Sequence, residues 1–260
     1  MTFLMQFRDA LLSASESDIE KDPGLGGRLR LHQEGKFTID YAPFEYVEAN
    51  ARIVIVGITP GSQQASNALK RARQSLLDKH DEFEAIKSAK VFASFSGPMR
   101  SNLIAMLDHI GIQRLLGINS TAALWAEKSK LVHFTSALRN PVYFNGKNYS
   151  GTPSMTRVPA LTQMLEIFLG QEAKELSKAI WIPLGPAASA GVEWIVKKGF
   201  LGRGQILLGL PHPSPLNGER IAYFLQRKAR EKLSSKTSSE KIDIARTNIL
   251  SQIASMAAVQ

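Results

Sequence analysis

The segment Arg52-Ile-Val-Ile-Val-Gly-Ile-Thr-Pro-Gly61 carries the clearest structural pattern in the chain. Its first half is a run of β-branched residues typical of a buried strand, and the glycines and proline that follow end the strand in a tight loop. Residues 62–78 continue with the spacing of a helix. The sequence therefore predicts a strand, a loop and a helix in direct succession, which is the repeating unit of a parallel sheet.

The same pattern returns further along the chain. Strand candidates lie at 131–135, 179–184 and 205–210, and helix candidates lie at 101–110, 158–169, 220–233 and 242–258. A polar linker is predicted at 234–239. Four apolar strands separated by helices predict one α/β domain over residues 1–260, with its core at about 51–230. We expect a three-layer α/β/α sandwich around a mainly parallel four-stranded sheet.

Composition excludes several classes of protein. The chain has 260 residues and is 44% hydrophobic, which is enough apolar material for one large core. It has no cysteine, so disulfides, thiolate nucleophiles, cysteine-ligated zinc and the usual iron–sulfur clusters are excluded. No apolar run approaches the ~20 residues of a membrane span, and the first 12 residues lack a signal-peptide pattern. We expect a cytoplasmic protein that uses no metal or cofactor and no membrane.

The charge balance points to a polyanionic partner. Lysine and arginine number 32 against 23 acidic residues, which gives a net charge of +9. A basic chain of this kind is suited to approach nucleic-acid phosphates, although many basic proteins bind no nucleic acid. We expect a monomer that binds DNA, duplex or single-stranded.

Polar residues gather at one predicted edge of the sheet. Because the carboxyl ends of parallel strands meet at one edge, the loops 57–61, 135–140, 185–186 and 212–216 should converge. His212 stands between two prolines after an apolar strand, where a packing role for histidine would be unusual. Such a histidine can stabilise negative charge on a leaving group. Nearby, Ser214 and backbone amides can bind a phosphate.

The 57–61 loop has two explanations. A Gly-x-x-Pro-Gly turn serves structure alone, since glycine permits positive φ and proline ends the strand. Alternatively, backbone N–H groups of the loop and of the following helix face an anion or a base carbonyl.

Four segments resemble motifs of the uracil-DNA glycosylase superfamily. Gly57-Ile-Thr-Pro-Gly61 resembles its first motif and His212-Pro-Ser-Pro-Leu216 its second. Phe95-Ser-Gly97 is similar to the Phe-x-Gly segment of the iron–sulfur branch, and Val132-His-Phe-Thr-Ser136 to the strand that ends in a base-reading asparagine there. The resemblance covers about residues 51–230.

This resemblance implies a hydrolase that flips a nucleotide out of the stack and breaks its N-glycosidic bond. Phe95 would stack on the base, His212 would stabilise the departing base anion, and Leu216 would fill the gap in the duplex. In full, the resemblance assigns catalysis to His212 and Thr59, base binding to Gly57, Ile58, Pro60, Gly61, Phe95 and Ser136, and DNA binding to Ser214, Pro215, Leu216, Arg220, Arg100 and Ser101.

The chain also departs from its relatives. Thr59 stands where relatives carry a water-orienting Asn or Asp, and Ser136 stands where they carry the uracil-reading Asn. A hydroxyl lacks the paired donor and acceptor of an amide. We therefore expect the substrate to be a damaged or modified base in DNA, and we expect uracil not to be the best one. A further candidate substrate is a bulkier modified cytosine of phage DNA.

Several residues are candidates to supply the contacts to base and water that Thr59 and Ser136 do not provide. Arg139, Asn140, Tyr143, Asn145 and Tyr149 are candidates to line an enlarged pocket, and Asp40 and Glu45 are candidate replacement carboxylates by elimination. Two rival functions stay open. One is a non-catalytic DNA or lesion-binding protein on the same fold, and the other is an enzyme acting on small nucleotides that uses the 57–61 loop for phosphate.

Overall fold

The computed structural model describes residues 3–257. Its helices are α1 (Phe3–Ser13), α2 (Glu16–Lys21), α3 (Ser62–Leu77), α4 (Glu82–Ala93), α5 (Pro98–His109), α6 (Ile112–Leu116), α7 (Pro159–Met164), α8 (Gly170–Glu175), α9 (Gly185–Lys197), α10 (Gly218–Phe224) and α11 (Ser239–Ala257). Its strands are β1 (Arg30–Glu34), β2 (Phe37–Asp40), β3 (Ile53–Gly57), β4 (Val132–Ser136), β5 (Val142–Phe144), β6 (Lys147–Asn148) and β7 (Ile180–Pro183). None of the helices within 3–257 is long and apolar enough to cross a membrane.

The predicted mixed α/β architecture is confirmed. A parallel sheet has the order β4-β3-β7, and the fully buried β3 lies at its centre. Side chains alternate along β3, so that Ile53 and Ile55 join one hydrophobic core while Val54 and Val56 join another. Helices α5, α6, α10 and α11 pack in the first core, and α7, α8 and α9 pack in the second. The sheet is therefore covered on both faces.

The predicted fourth strand, 205–210, is not a regular strand. This segment touches β7 through two isolated parallel bridges, Trp181 to Ile206 and Leu184 to Leu210. Gly209 lies between them with a φ of 109°, which an extended strand does not permit. A Cβ on Gly209 would lie 2.5 Å from the Cβ of Ala245 in α11. The segment is therefore shaped by close packing of α11 as well as by the sheet.

The N-terminal part of the chain belongs to the folded body, beyond the predicted core of 51–230. Strands β1, β2, β5 and β6 form a second, antiparallel sheet in that order. Helices α1 and α2 pack against α3 and α4 in a third core, which includes Leu4, Phe7 and Leu69. Most of β1 is exposed, so its sequence carries no alternation of apolar and polar residues that would predict a strand.

Helix boundaries after the second motif also differ from the prediction. The helix predicted at 220–233 ends at Phe224, and Gln226 follows with a φ of 60°. Glu219 accepts hydrogen bonds from Lys228 Nζ (2.8 Å), Ser234 Oγ (2.6 Å) and Thr237 Oγ1 (2.5 Å). These bonds hold the pKa of Glu219 well below its ordinary value. The predicted linker at 234–239 is therefore anchored to α10.

The terminal helix α11 is docked rather than free. It begins at Ser239, three residues before the predicted start, and the predicted end at 258 lies outside the described residues. Ile249 and Ile253 are buried in the first core. Arg246 Nη1 donates to the carbonyl of Phe224 at 3.3 Å.

A buried ionic cluster joins β4, α4 and α8, and we call it the Glu172 cluster. Glu172 is 1% exposed, and its Oε1 accepts hydrogen bonds from Arg139 Nε (3.1 Å) and Nη2 (2.8 Å). Its Oε2 lies 3.3 Å from His133 Nε2, and the buried Lys90 donates to the carbonyl of Tyr46 at 2.5 Å. Burial would raise the pKa of Glu172, but the charges of Arg139 and Lys90 outweigh it and lower that pKa. The carboxylate is therefore ionised.

The histidine of this cluster is neutral. Its Nδ1 lies 3.4 Å from the backbone N–H of Glu48, which places the ring proton on Nε2, toward Glu172. Nε2 and the carboxylate oxygen are close but not aligned as a hydrogen bond. Burial, together with the charge of Lys90, lowers the pKa of His133 to about 4. Burial likewise lowers the pKa of Lys90 to about 8.

Removal of the central carboxylate tests the cluster. Glu172→Ala leaves the buried Lys90 and the part-buried Arg139 without their counter-charge, and we expect a loss of about 3–5 kcal/mol in the free energy of unfolding. The matched control is Glu175→Ala, an exposed glutamate on the same helix, which should change stability by less than about 0.5 kcal/mol. Urea unfolding followed by circular dichroism measures both. Equal losses in the two variants would contradict a central role for Glu172.

Candidate active site

A small cavity lies at the carboxyl ends of β3 and β4. It is lined by Phe44, Pro60, Gln64, Ser94, Phe95, Phe134, Thr135, Ser136 and Arg139. About 20 Å³ of its interior is open to water, which is room for one molecule. Three of the predicted site residues, from three separate motifs, therefore line one cavity: Pro60, Phe95 and Ser136.

Gly57 lets these residues meet. A Cβ at this position would lie 3.2 Å from Ser136 Oγ and 3.4 Å from Phe95 Cε1. Parallel pairing sets Gly57 opposite Ser136 at the last register position of β3 and β4. The absence of a side chain at Gly57 thus gives the aromatic ring access to the strand ends.

Phe95 is held in a strained conformation. Its φ is 50°, in the left-handed region that aromatic residues rarely adopt, at a cost of about 1–3 kcal/mol. The preceding carbonyl, that of Ser94, accepts from Trp125 Nε1 at 2.9 Å and from Arg100 Nη2 at 3.3 Å. Arg100 also donates to the carbonyl of Phe92 at 2.8 Å. Its guanidinium therefore supports the Phe95 segment, a role that the sequence did not indicate, while Ser101 is exposed in the first turn of α5. The DNA contacts predicted for both residues stay predictions.

The polar wall of the cavity contains a buried hydroxyl. Thr135 is 7% exposed, and its Oγ1 has no hydrogen-bond partner among the described residues. A buried hydroxyl left unpaired costs about 1–3 kcal/mol, so such a group normally binds a ligand or a water. Arg139 lines the same wall while two of its N–H groups bind Glu172. The Glu172 cluster therefore fixes one side of the cavity.

Several polar groups of the first motif already have hydrogen-bond partners within the protein. The Thr59 hydroxyl donates to the carbonyl of Asn140 at 2.9 Å and accepts from the amide of Val142 at 3.0 Å. Its single proton is therefore not available to orient a water, and the predicted catalytic role is not supported. Ile58 packs against the second core, away from the cavity, and its carbonyl accepts from the amide of Leu138 at 3.0 Å.

Backbone amides at the start of α3 are occupied too. The amide of Gly61 donates to Gln64 Oε1 at 3.3 Å, and the amide of Ser62 donates to Asn148 Oδ1 at 3.0 Å. These two amides therefore do not face an anion or a base carbonyl, because side chains already accept their hydrogen bonds.

The second motif presents a histidine with a defined proton. His212 is half-buried, and its Nδ1 accepts from the amide of Ser214 at 3.2 Å, which leaves the proton on Nε2. Burial lowers the pKa of His212, so the ring is neutral at neutral pH. Asn102 Nδ2 donates to the carbonyl of Pro213 at 2.9 Å. This bond ties the loop to α5, the helix that follows the Phe95 segment.

His212 does not line the cavity with Phe95. It lines a neighbouring groove that begins at Gly185, the first residue of α9. Gly185 has a φ of 78°, and a Cβ there would lie 3.0 Å from the Cβ of His212. The convergence predicted for the four loops is thus divided between two adjacent depressions.

The tip of the second motif is apolar and exposed. Leu216 is 96% exposed, on a 3-10 turn formed by Pro215–Asn217. The Ser214 hydroxyl accepts from the amide of Leu216 at 3.4 Å. Arg220 donates to Asn217 Oδ1 at 2.8 Å and to the carbonyl of Lys236 at 3.0 Å. A large apolar side chain is therefore held out into solvent beside a charged arginine.

No carboxylate lines the cavity within the part of the chain that the structure describes. Asp40 pairs with Arg30 at 2.5 Å. Glu45 accepts from the hydroxyl of Tyr41 at 2.9 Å, and burial raises the pKa of Glu45. Neither replaces the missing water-orienting group. Residues 3–257 also contain no group of three histidine or acidic side chains that could hold a metal ion.

Most of the predicted pocket extension lies elsewhere. Of that set, only Arg139 lines the cavity. Asn140 lines a different depression, Asn145 forms the turn between β5 and β6, and the Tyr149 hydroxyl donates to the carbonyl of Pro153. The lining residues Phe44, Gln64 and Ser94 lie outside the motifs, so no pattern in the sequence marks them.

Comparisons with known proteins place the chain beside an uncharacterized bacterial protein. No family model matches the chain, and no solved structure matches it. The chain is 36% identical over 236 residues to the uncharacterized protein YoxB of Bacillus subtilis (strain 168), a match that covers 90% of each chain. At that identity and coverage, the chain belongs to the same family as YoxB.

Proposed function

We propose that the chain is a DNA glycosylase, which flips a damaged or modified base out of DNA and hydrolyses its N-glycosidic bond. The observation that supports this most strongly is the meeting of Pro60, Phe95 and Ser136 at one cavity, which the missing side chain of Gly57 makes possible. Each comes from a different motif, and together they offer an aromatic face beside polar strand ends. That combination suits a planar heterocycle with hydrogen-bonding edges.

Recognition of the base would combine stacking with polar contacts. The Phe95 ring offers the stacking face, and Thr135, Ser136 and Arg139 offer donors to the base edge. The cavity holds only about one water, so a base enters when the Phe95 segment moves outward. Gly97, with a φ of 71°, lies two residues further on and is a natural hinge for that movement.

His212 would act on the leaving base. The bond between the sugar C1′ and the base nitrogen breaks with its electron pair leaving on the base. Water supplies the oxygen that bonds to C1′, and the proton that this water loses neutralises the base anion. The neutral His212 lines the groove beside the cavity, and its Nε2–H would donate a hydrogen bond to the developing negative charge once the Phe95 segment has moved outward. The tie between Pro213 and Asn102 keeps this donor at a fixed place relative to α5.

The proposal extends to the fold. We infer a uracil-DNA glycosylase-like α/β/α sandwich, because the first motif follows the central strand β3 and the second follows the edge segment 205–210. Both motifs thus stand at the carboxyl ends of parallel chain segments, where open α/β sheets bind their ligands.

A non-catalytic DNA or lesion-binding protein is the second candidate. It is favoured by the cavity wall, where no described residue is a carboxylate, and by Thr59, whose proton is committed to Asn140. An assay for abasic sites, on duplexes that carry a panel of modified bases, distinguishes the two. Binding of modified duplexes without any abasic product would favour the binding protein.

Loss of the Nε2–H donor of His212 should slow the cleavage of the N-glycosidic bond. We expect His212→Ala to reduce single-turnover excision by about a hundredfold or more, the range for one lost oxyanion donor, with little change in DNA binding. His80→Ala, at an exposed histidine after α3, is the control and should keep the full rate. A full rate in a folded His212→Ala variant would remove this residue from the mechanism.

Leu216 should matter only where a base leaves a gap. Because a flipped nucleotide leaves a cavity only in duplex DNA, Leu216→Ala should slow excision from paired duplex about tenfold more than from single strands. Leu77→Ala removes another exposed leucine, at the end of α3, and should slow neither. Equal losses of Leu216→Ala on both substrates would reassign the side chain to packing.

The base edge is read loosely in the wild-type chain, so uracil should not be its best substrate. The comparison is single-turnover excision of uracil, hypoxanthine, xanthine, hydroxymethylcytosine and glucosylated hydroxymethylcytosine in one sequence context. Ser136→Asn adds a paired donor and acceptor, and one extra hydrogen bond of about 1 kcal/mol predicts a roughly fivefold gain for uracil. Ser136→Ala should give no gain. Uracil excised fastest by the wild type, and unaffected by Ser136→Asn, would contradict this account of the cavity.

A further inference from the structure

A groove beside His212 carries positive charge without acidic residues. It lies between the first turn of α9, the second motif and the start of α11, and has a volume of about 460 Å³. Arg220, Lys236 and Lys241 line it, and none of the described residues in its lining is acidic. The groove is therefore suited to an anion that runs past His212.

The positive charges of this groove are not neutralised. Lys236 and Lys241 are exposed, and their ammonium groups form no ion pair within residues 3–257. The guanidinium of Arg220 donates to Asn217 Oδ1 and to the carbonyl of Lys236, which are both uncharged acceptors. Lys228 differs, because its ammonium pairs with Glu219 at 2.8 Å. The groove, rather than Lys228, therefore presents free cations.

Neighbouring acidic residues do not cancel these charges. Asp243, on α11, pairs with Arg246 at 2.7 Å and accepts from the hydroxyl of Tyr223 at 2.8 Å. Glu219 is occupied by Lys228, Ser234 and Thr237. Asp243 and Glu219 are thus turned to partners outside the groove, and Glu240, in the first turn of α11, is exposed and is not among the residues that line it.

Packing holds the groove in shape before any ligand binds. The contact between Gly209 and Ala245 and the burial of Ile249 fix α11 against the segment 205–210. The bonds of Glu219 fix the segment that leads into α11. Charges on a preformed surface lose less conformational freedom on binding than charges on a mobile tail.

We propose that this groove binds the phosphodiester backbone of DNA, with one phosphate at Lys236 and another at Lys241. The inference rests on the proposed function, since DNA is the ligand in both. It adds a contact outside residues 51–230, the region that resembles the glycosylase superfamily. The strand that enters the groove passes directly beside the Nε2–H donor of His212.

Salt dependence of DNA binding tests the groove. Fluorescence anisotropy with a labelled 20-base-pair duplex, between 50 and 200 mM salt, compares the wild type with the double variant Lys236→Ala/Lys241→Ala. Each lost phosphate contact lowers the slope of log affinity against log salt by about 0.9, so we expect a decrease of about 1.8. The charge reversal Lys241→Glu alone should lower the slope by about 1 and weaken binding further.

The matched control removes two lysines at the opposite end of the sheet. Lys130 and Lys178 are exposed and stand just before β4 and β7, at the amino ends of the strands. Lys130→Ala/Lys178→Ala has the same net charge as the groove variant, and we expect it to keep the wild-type slope. Thermal melting confirms that all variants are folded.

Three outcomes would overturn the inference. An unchanged slope in the groove variant, with steep salt dependence in the wild type, would refute the groove and leave the glycosylase proposal intact. Equal decreases in groove and control variants would show that net charge acts without a site. A wild type with no salt-dependent DNA binding would refute both the groove and the proposed function.

Discussion

The architecture depends on the ionised carboxylate of Glu172, buried under the sheet. A buried charge must be compensated, and the compensation here comes from Arg139 and Lys90, which arrive from the segment after β4 and from α4. Neutral His133 completes the cluster from within β4 itself. Two distant parts of the chain, α4 and the stretch from β4 to Arg139, are thereby held to α8, and the segment after β4 has little freedom to move.

That constraint reaches the cavity through Arg139. The same side chain that compensates Glu172 also lines the wall where Thr135 carries its unpartnered hydroxyl. The opposite wall is built differently, from Phe95 in a strained conformation supported by Arg100 and Trp125. One wall is thus fixed by charge, and the other is an aromatic segment bounded by Gly97. A ligand that opens the cavity would displace the second wall and not the first.

The sequence predicted those parts of the fold where local pattern and burial agree. The β-branched run predicts β3, the Gly-x-x-Pro-Gly turn predicts the loop after it, and the helical spacing predicts α3. The same kind of pattern predicted a strand at 205–210, and this prediction was wrong. Gly209 adopts a φ that allows the close approach of Ala245 but does not fit a strand. Nothing local to residue 209 indicates that contact, which joins parts of the chain far apart in sequence.

The site was predictable to a similar degree. Motifs placed Gly57, Phe95 and Ser136 near one another, since they all stand at or near the carboxyl ends of β3 and β4. The hydrogen-bond partner of each polar atom could not be predicted from the sequence. The Thr59 hydroxyl donates its hydrogen bond to the carbonyl of Asn140, and Arg100 donates to backbone carbonyls, because tertiary packing supplies those acceptors.

The docking of α11 has a consequence for the behaviour of the whole molecule in a crowded cell. An irregular parallel segment at the border of a sheet leaves backbone groups able to pair with another chain, and such borders seed aggregation. Here α11 lies along residues 206–209, and Gln252 donates to the carbonyl of Ile206 at 3.5 Å. The terminal helix thus acts as a cover that denies other chains a template for intermolecular β-pairing, whatever else its first turn binds.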